Sequence, residues 1–107
     1  TKDYADQVKL NAQTGTAYTL VALHAGKTIT MSNTSAQTLT VPPNGTVAIA
    51  VGTVIHVVQL NTGLTTIAAG SGVTINTADG LKLYKQYGMA SLIKTATDTW
   101  LAIGTVA

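Results

Sequence analysis

The sequence predicts an all-β domain, a sandwich or flattened barrel of about ten short, mostly antiparallel strands. Short runs rich in Val, Ile and Thr alternate apolar and polar residues, and turn residues separate them about every 8–12 residues. No stretch has helical periodicity long enough to compete with this pattern. A chain of 107 residues is expected to form one domain, which we place at residues 13–107 after a linker or stalk end at residues 1–12.

The longest apolar run, residues 46–60, is predicted to form the centre of the sheet. Ten of its fifteen residues are Ala, Val, Ile or Leu, and branching at Cβ favours strands over helices. Turn residues stop the run at Pro42-Pro43-Asn44-Gly45 and at Asn61-Thr62-Gly63. Gly52-Thr53 is predicted to divide it, which leaves residues 54–60 as a central strand buried on both faces. The run is too short for a bilayer, which needs about 20 apolar residues.

The remaining strands follow from alternation and from the turns between them. The first segment, residues 1–10, is the most charged part of the chain and is predicted to be solvated linker. Further strands are predicted at residues 18–23, 28–31, 38–41, 64–68, 73–75 and 81–84. Pro42 ends one of them because it cannot donate to a ladder.

The last element is predicted to be a β-hairpin. Residues 90–96 and 99–103 flank Thr97-Asp98, and the Asp98 side chain favours a turn because it can accept a hydrogen bond from nearby backbone. In this hairpin, alternation places Trp100 on the face opposite Leu101 and Ile103.

The charge content is low: 9% of residues are charged, against about 25% in a typical domain. Arg and Glu are absent, and twenty residues are Thr. Because the mean hydropathy is positive, a disordered chain is not expected. Two explanations of such a surface stay open. Either Thr, Ser, Asn and Gln solvate it, or much of it is buried against other subunits.

Several partners and cofactors are not expected. The six lysines are scattered and there is no Arg, so the sequence does not predict nucleic-acid binding. There are no cysteines for disulfides or thiol chemistry, and no segment predicts membrane insertion. Residue 1 is Thr, and we expect the chain to continue a longer polypeptide.

Catalytic and metal-binding groups are sparse. The carboxylates are Asp3 and Asp6 in the predicted linker, with Asp79 and Asp98 in predicted turns. A glycosidase usually needs two carboxyl groups about 5–10 Å apart, and nothing in the pattern pairs them. His24 is predicted to shape a turn, and His56 to be a hydrogen-bonded core or interface residue. Neither an enzyme nor a metal or cofactor site is predicted.

The aromatic residues offer a binding function. Tyr84 and Tyr87 flank Lys85-Gln86, and Trp100 lies on the terminal hairpin. Tyr and Trp combine a flat apolar face with a polar edge, which suits a sugar ring as well as a protein contact or a core. We predict ligand binding by Tyr84, Tyr87 and Trp100 through stacking and by Asp79 through hydrogen bonds from sugar hydroxyl groups.

Several segments, taken in order, carry a resemblance to a known family. They are residues 13–20, 25–27, 40–44, 51–55, 66–76 and 92–100. In this order they resemble the C-terminal β-domain of bacteriophage tail fibre proteins, in particular those of phages of Acinetobacter and similar hosts. His24 departs from this pattern, which has an acidic residue before Ala-Gly, and no role is transferred to it. The resemblance implies a fibre tip that recognises the bacterial surface, usually as a trimer.

The leading hypothesis is a non-catalytic receptor-binding domain at the distal end of a phage tail fibre. The resemblance implies a homotrimer that is made in the host cytoplasm and located in the virion, with a host surface polysaccharide as ligand. Linked weak sites can exceed one site's affinity by about 10²–10⁴. One alternative is a structural trimerisation cap of the fibre, and another is a capsule-depolymerising enzyme, against which the absence of Glu argues.

Overall fold

The computed structural model describes residues 10–21 and 28–107, and these form ten β-strands. The predicted strand-based fold class is confirmed. His24, Asp3, Asp6 and residues 1–9 of the predicted linker lie outside the described residues. The first strand begins at Leu10, inside the segment predicted as linker. The strands are β1 Leu10–Gln13, β2 Ala17–Thr19, β3 Thr28–Met31, β4 Gln37–Val41, β5 Val54–Gln59, β6 Thr65–Ala69, β7 Thr74–Thr77, β8 Lys82–Leu83, β9 Met89–Ala96 and β10 Thr99–Gly104.

The strands form two mixed sheets that face each other as a sandwich. The six-stranded sheet has the order β1-β3-β5-β9-β10-β7, and the four-stranded sheet has the order β2-β4-β6-β8. The prediction of mostly antiparallel strands is wrong. The parallel pairs between described strands are β1–β3, β3–β5, β2–β4, β4–β6 and β7–β10, and the antiparallel ones are β5–β9, β9–β10 and β6–β8.

The parallel pairing arises because the chain crosses to the other sheet after each of its first strands. Each strand of one sheet is the crossover between two strands of the other, so neighbours in a sheet run the same way. The first six strands thus stack as three two-stranded rungs: β1–β2, β3–β4 and β5–β6. The register aligns Leu10 with Thr28, and Thr28 with His56.

The central strand of the longest apolar run is β5, which lies between β3 and β9. Burial along β5 alternates, with Ile55 and Val57 fully buried and His56 partly accessible. The prediction that β5 is buried on both faces is therefore wrong, because only one face of its sheet meets the core. Residues 46–52, the first part of the run, contain turns and irregular backbone and no strand, and the amides of Thr46 and Val47 donate to Pro43 O.

The core fills the space between the two sheets. Its members are apolar side chains from both inner faces, and Trp100 is the largest fully buried one. Leu39 and Ile67 come from the four-stranded sheet, whereas Ile55 and Leu92 come from the six-stranded sheet. Among the described residues, no helix has the length and apolarity to cross a membrane.

The terminal hairpin is confirmed, with β9 and β10 joined at Thr97-Asp98 and a positive φ of 57° at Asp98. Its register shifts between Thr99 and Trp100, so that Trp100 lies opposite Lys94. This bulge directs both side chains inward. Leu101 and Ile103 lie on the face opposite Trp100, as predicted, and in the structure that face is the outer one.

Candidate ligand-binding site at the turn end

Four connections meet at one end of the sandwich. They are residues 14–16, 32–36, 60–64 and 84–88, which follow β1, β3, β5 and β8. We call this surface the turn end. Parallel stacking of the rungs brings the first three turns together, and the loop before β9 covers the third turn.

Hydrogen bonds join each turn to the next. The Asn33 amide donates to Thr14 O at 2.8 Å, and Gly63 N donates to Asn33 O at 2.9 Å. From the last loop, Tyr87 N donates to Gln59 O at 2.6 Å, and the Gln86 side chain donates to Leu60 O at 3.2 Å. These hydrogen bonds hold the four connections together and fix the positions of the side chains that are exposed at the turn end.

Two buried glutamines lie beneath the turns. The Gln37 side chain donates to Thr65 Oγ1 at 2.9 Å and to Gly63 O at 3.3 Å. The Gln59 side chain accepts from Thr65 N at 3.0 Å. These bonds satisfy backbone and hydroxyl groups where the chain turns from β5 into β6, and they fix the third turn from below.

The turn end exposes aromatic and aliphatic side chains. Tyr84 is 50% exposed and Tyr87 is 72% exposed, in the same loop. Leu60 and Leu64, at the two ends of the third turn, are 40% and 46% exposed. The ammonium group of Lys85 lies 5.8 Å from the centre of the Tyr84 ring. Large apolar side chains exposed close together typically mark a contact surface.

Tyr87 combines high exposure with an unfavourable backbone conformation, because its φ is +68°. A bulky residue in the left-handed region costs about 1 kcal/mol relative to Gly. The ring is mostly outside the core and compensates little of this cost through burial. Strain at an exposed residue points to a role in contact with another molecule.

Apart from the ammonium group of Lys85, the polar groups around these side chains are neutral amides and hydroxyls. Asn33 and Asn61 lie in successive turns, and each side-chain oxygen accepts a backbone N–H of its own turn. Thr62 and Ser35 are exposed beside them. Flat rings next to amides and hydroxyls can stack on a sugar ring and hydrogen-bond its hydroxyl groups.

Only two of the four predicted ligand-binding residues come together. Tyr84 and Tyr87 share the last loop, whereas exposed Asp79 lies before β8, in the connection that crosses from one sheet to the other. Trp100 is 1% exposed, so its ring has no free face for a sugar and is a core residue. The sequence analysis missed Leu60 and Leu64, although their position around the turn Asn61-Thr62-Gly63 was a signal that their side chains lie at a strand end.

A buried cation lies beside Trp100, away from the turn end. Lys94 is 3% exposed, and its ammonium group donates to Asn44 Oδ1 at 2.8 Å and to Ile49 O at 2.6 Å. The same group lies 5.9 Å from the centre of the Trp100 ring. Asn44 N donates to Asp98 Oδ1 at 2.6 Å, so Asn44 links the cation to a carboxylate. This network connects the 42–53 segment to the terminal hairpin.

The described carboxylate side chains, Asp79 and Asp98, are not brought together. Thr74 N donates to Asp98 O at the start of β7, and β7 then leads the chain about 10 Å away before Asp79. His56 Nδ1 and Ser91 Oγ are 2.9 Å apart in a hydrogen bond. Within residues 10–21 and 28–107, no group of His and Asp side chains is arranged to hold a metal ion.

No family model matches the chain, and neither a curated protein nor a solved structure matches it significantly.

Proposed function

We propose that this domain is a non-catalytic carbohydrate-binding module whose turn end contacts a bacterial surface polysaccharide. The proposal is carried by the exposure of Tyr84 and Tyr87 in the same loop. A backbone hydrogen bond from Tyr87 N to Gln59 O anchors this loop to β5. A rigid loop with two accessible rings loses little conformational entropy on binding. The neutral amides around it fit a sugar that carries no charge.

The resemblance to tail fibre domains supports the biological setting. In this proposal the domain is the receptor-binding tip of a phage tail fibre, located in the virion, and several copies act together. Multivalency raises the avidity of weak sites, so each turn end needs only a modest affinity of its own. Catalysis is not part of the proposal, because the Asp98 carboxylate accepts a backbone N–H from Asn44 and Asp79 lies on a different connection.

The test measures glycan binding by the wild-type chain and three variants on an array of bacterial surface polysaccharides. Calorimetric titration with the glycan that binds best then gives the affinities. Tyr84→Ala and Tyr87→Gly are each expected to weaken binding at least about tenfold, which is about 1.4 kcal/mol. Tyr87→Gly is also expected to keep or raise stability by up to about 1 kcal/mol, since Gly adopts a positive φ without strain. The control is Val51→Ala, because Val51 is 58% exposed but lies away from the turn end.

The salt dependence of glycan binding provides a second measurement on the same proteins. Binding to a neutral glycan is expected to change less than about twofold between 50 and 500 mM salt, because no charge pair is screened. Two outcomes contradict the proposal: no glycan on the array binds the wild type, or both tyrosine variants bind as the wild type does.

A further inference from the structure

The side chains of Lys94 and Asn44 place an amine next to a carboxamide in a site that is largely closed to water. Lys94 Nζ donates to Asn44 Oδ1 at 2.8 Å, and Lys94 is 3% exposed. Because an amide C=O bond is about 1.2 Å long, Nζ lies at most about 4 Å from Asn44 Cγ. This distance is close to the separation of about 3–3.5 Å from which oriented groups react.

Backbone hydrogen bonds hold both members of this pair in position. Gly52 N donates to Lys94 O at 2.7 Å, and Lys94 N donates to Thr53 O at 3.0 Å. Asn44 N donates to Asp98 Oδ1 at 2.6 Å. Two groups that the fold already holds together react as if one of them were present at a very high concentration, because the entropic cost of their encounter is met by folding.

The surroundings of the pair suit the formation of an amide between the two side chains. The Trp100 ring is 1% exposed, and its centre lies 5.9 Å from Lys94 Nζ, so little water reaches the amine from that side. Asn44 and Asp98 are only partly buried, which gives a leaving group access to solvent. The Asp98 carboxylate beside Asn44 is a group that can accept and return protons.

We propose that Lys94 and Asn44 join in an intramolecular isopeptide bond. Lys94 Nζ attacks Asn44 Cγ, a bond forms between these atoms, and the bond from Cγ to Nδ2 breaks. Nζ releases two of its three protons, and Nδ2 takes up two protons and leaves as an ammonium ion. The Asp98 carboxylate carries these protons. Nζ contacts the amide oxygen first, so the Asn44 amide must rotate before attack. A freshly folded chain therefore holds the hydrogen-bonded pair, and an aged chain holds the covalent bond.

The isopeptide bond would fasten the 42–53 segment covalently to β9. It links residues that are 50 positions apart in the chain, and closing a loop of that length restricts the unfolded state. The thermal midpoint of the aged chain is therefore expected to exceed that of the fresh chain by at least about 10 °C. This proposal does not depend on glycan binding, which uses the turn end.

The test is mass spectrometry of the denatured 107-residue chain during incubation at neutral pH. Wild type is expected to lose the mass of one ammonia. Because trypsin does not cleave after an acylated lysine, its digest is expected to contain residues 28–82 joined to residues 86–107. Lys94→Arg keeps a cation but lacks the primary amine, and it is expected to keep its full mass. Lys82→Arg changes an exposed lysine and is expected to react as wild type does.

Asp98→Asn tests the part played by the carboxylate. An asparagine at this position can still accept the N–H of Asn44 and tolerates the positive φ of 57°, so the variant removes the charge and keeps the turn. Formation of the bond is expected to slow at least about tenfold. Equal rates in Asp98→Asn and wild type would contradict proton transfer through this carboxylate.

A wild type that keeps its full mass throughout the incubation would overturn the isopeptide bond. Ammonia loss that persists in Lys94→Arg would also overturn it, because it would assign the reaction to attack by Gly45 N on the Asn44 side chain, the usual route of deamidation at Asn-Gly. Gly45→Ala slows that route and has open space for its Cβ atom. It is expected to form the joined peptides at the wild-type rate, and ammonia loss that slows in this variant would contradict the proposal.

Discussion

A Gly63→Ala substitution is expected to lower the free energy of unfolding by about 2–4 kcal/mol. A Cβ atom at Gly63 would overlap the backbone oxygens of Asn33 and Ser35 in the adjacent turn. Neither obstacle is a flexible side chain, so relief requires the two turns to separate. Separation would break the bond from Gly63 N to Asn33 O and weaken the ladder that holds the turn end.

The matched control is Gly45→Ala. Gly45 also lies in a turn, but no atom lies within 4 Å of a Cβ atom built there. Its stability is expected to be unchanged or raised by up to about 1 kcal/mol, because Ala restricts the unfolded chain. Urea unfolding of both variants gives the comparison. Equal midpoints for Gly63→Ala and wild type would contradict the close stacking of the second and third turns.

Lys94→Met is expected to destabilise the domain by about 2 kcal/mol. The thioether side chain keeps most of the apolar stem, so the variant isolates the ammonium group. Its loss leaves Asn44 Oδ1 and Ile49 O without their donor. This costs about 1–3 kcal/mol for the buried Ile49 O and less for Asn44 Oδ1, which is partly buried. Relief from burying a cation offsets part of that cost.

Lys82→Met provides the control, since Lys82 is exposed and its replacement is expected to change stability by less than about 0.5 kcal/mol. Thermal and urea unfolding are measured on both variants at the same pH. If Lys94→Met is as stable as Lys82→Met, the network around Asn44 does not hold the 42–53 segment to the hairpin.

Local signals in the sequence predicted local structure well. The β9–β10 hairpin depends on one turn and on alternation over adjacent residues, and its bounds differ from the prediction by one residue at two of its ends. The pairing of distant strands was not predictable in this way. Successive rungs start at Leu10, Thr28 and Val54. Because the connections between strands differ in length, this repeated two-strand unit has no constant period in the sequence.

The candidate site was likewise predictable only where its residues are close in sequence. Tyr84 and Tyr87 lie close in sequence in one loop, so their common exposure followed from a short segment. Trp100 was assigned to the wrong environment, because alternation gives two faces of a hairpin without saying which one meets the core. Lys94 shares the inward face with Trp100, and a lysine is rarely buried unless a distant segment supplies acceptors for its ammonium group.

Two segments that carry the resemblance to tail fibre domains meet in the structure. Residues 40–44 supply Asn44, and residues 92–100 supply Lys94, Asp98 and Trp100. The matching residues therefore include a buried network that supports the fold. The exposed Tyr84 and Tyr87 lie outside the resembling segments, which is where a residue that selects a particular glycan is expected to lie.

The central claim is that the turn end binds glycan, and its most direct test is amide chemical-shift mapping. The 11.0 kDa chain would be titrated with the best polysaccharide fragment from the array. Shifts are expected to concentrate at residues 60–64 and 84–88, with smaller ones at 32–36. Shifts centred on the strands of the six-stranded sheet, or no shifts at saturating glycan, would contradict the claim.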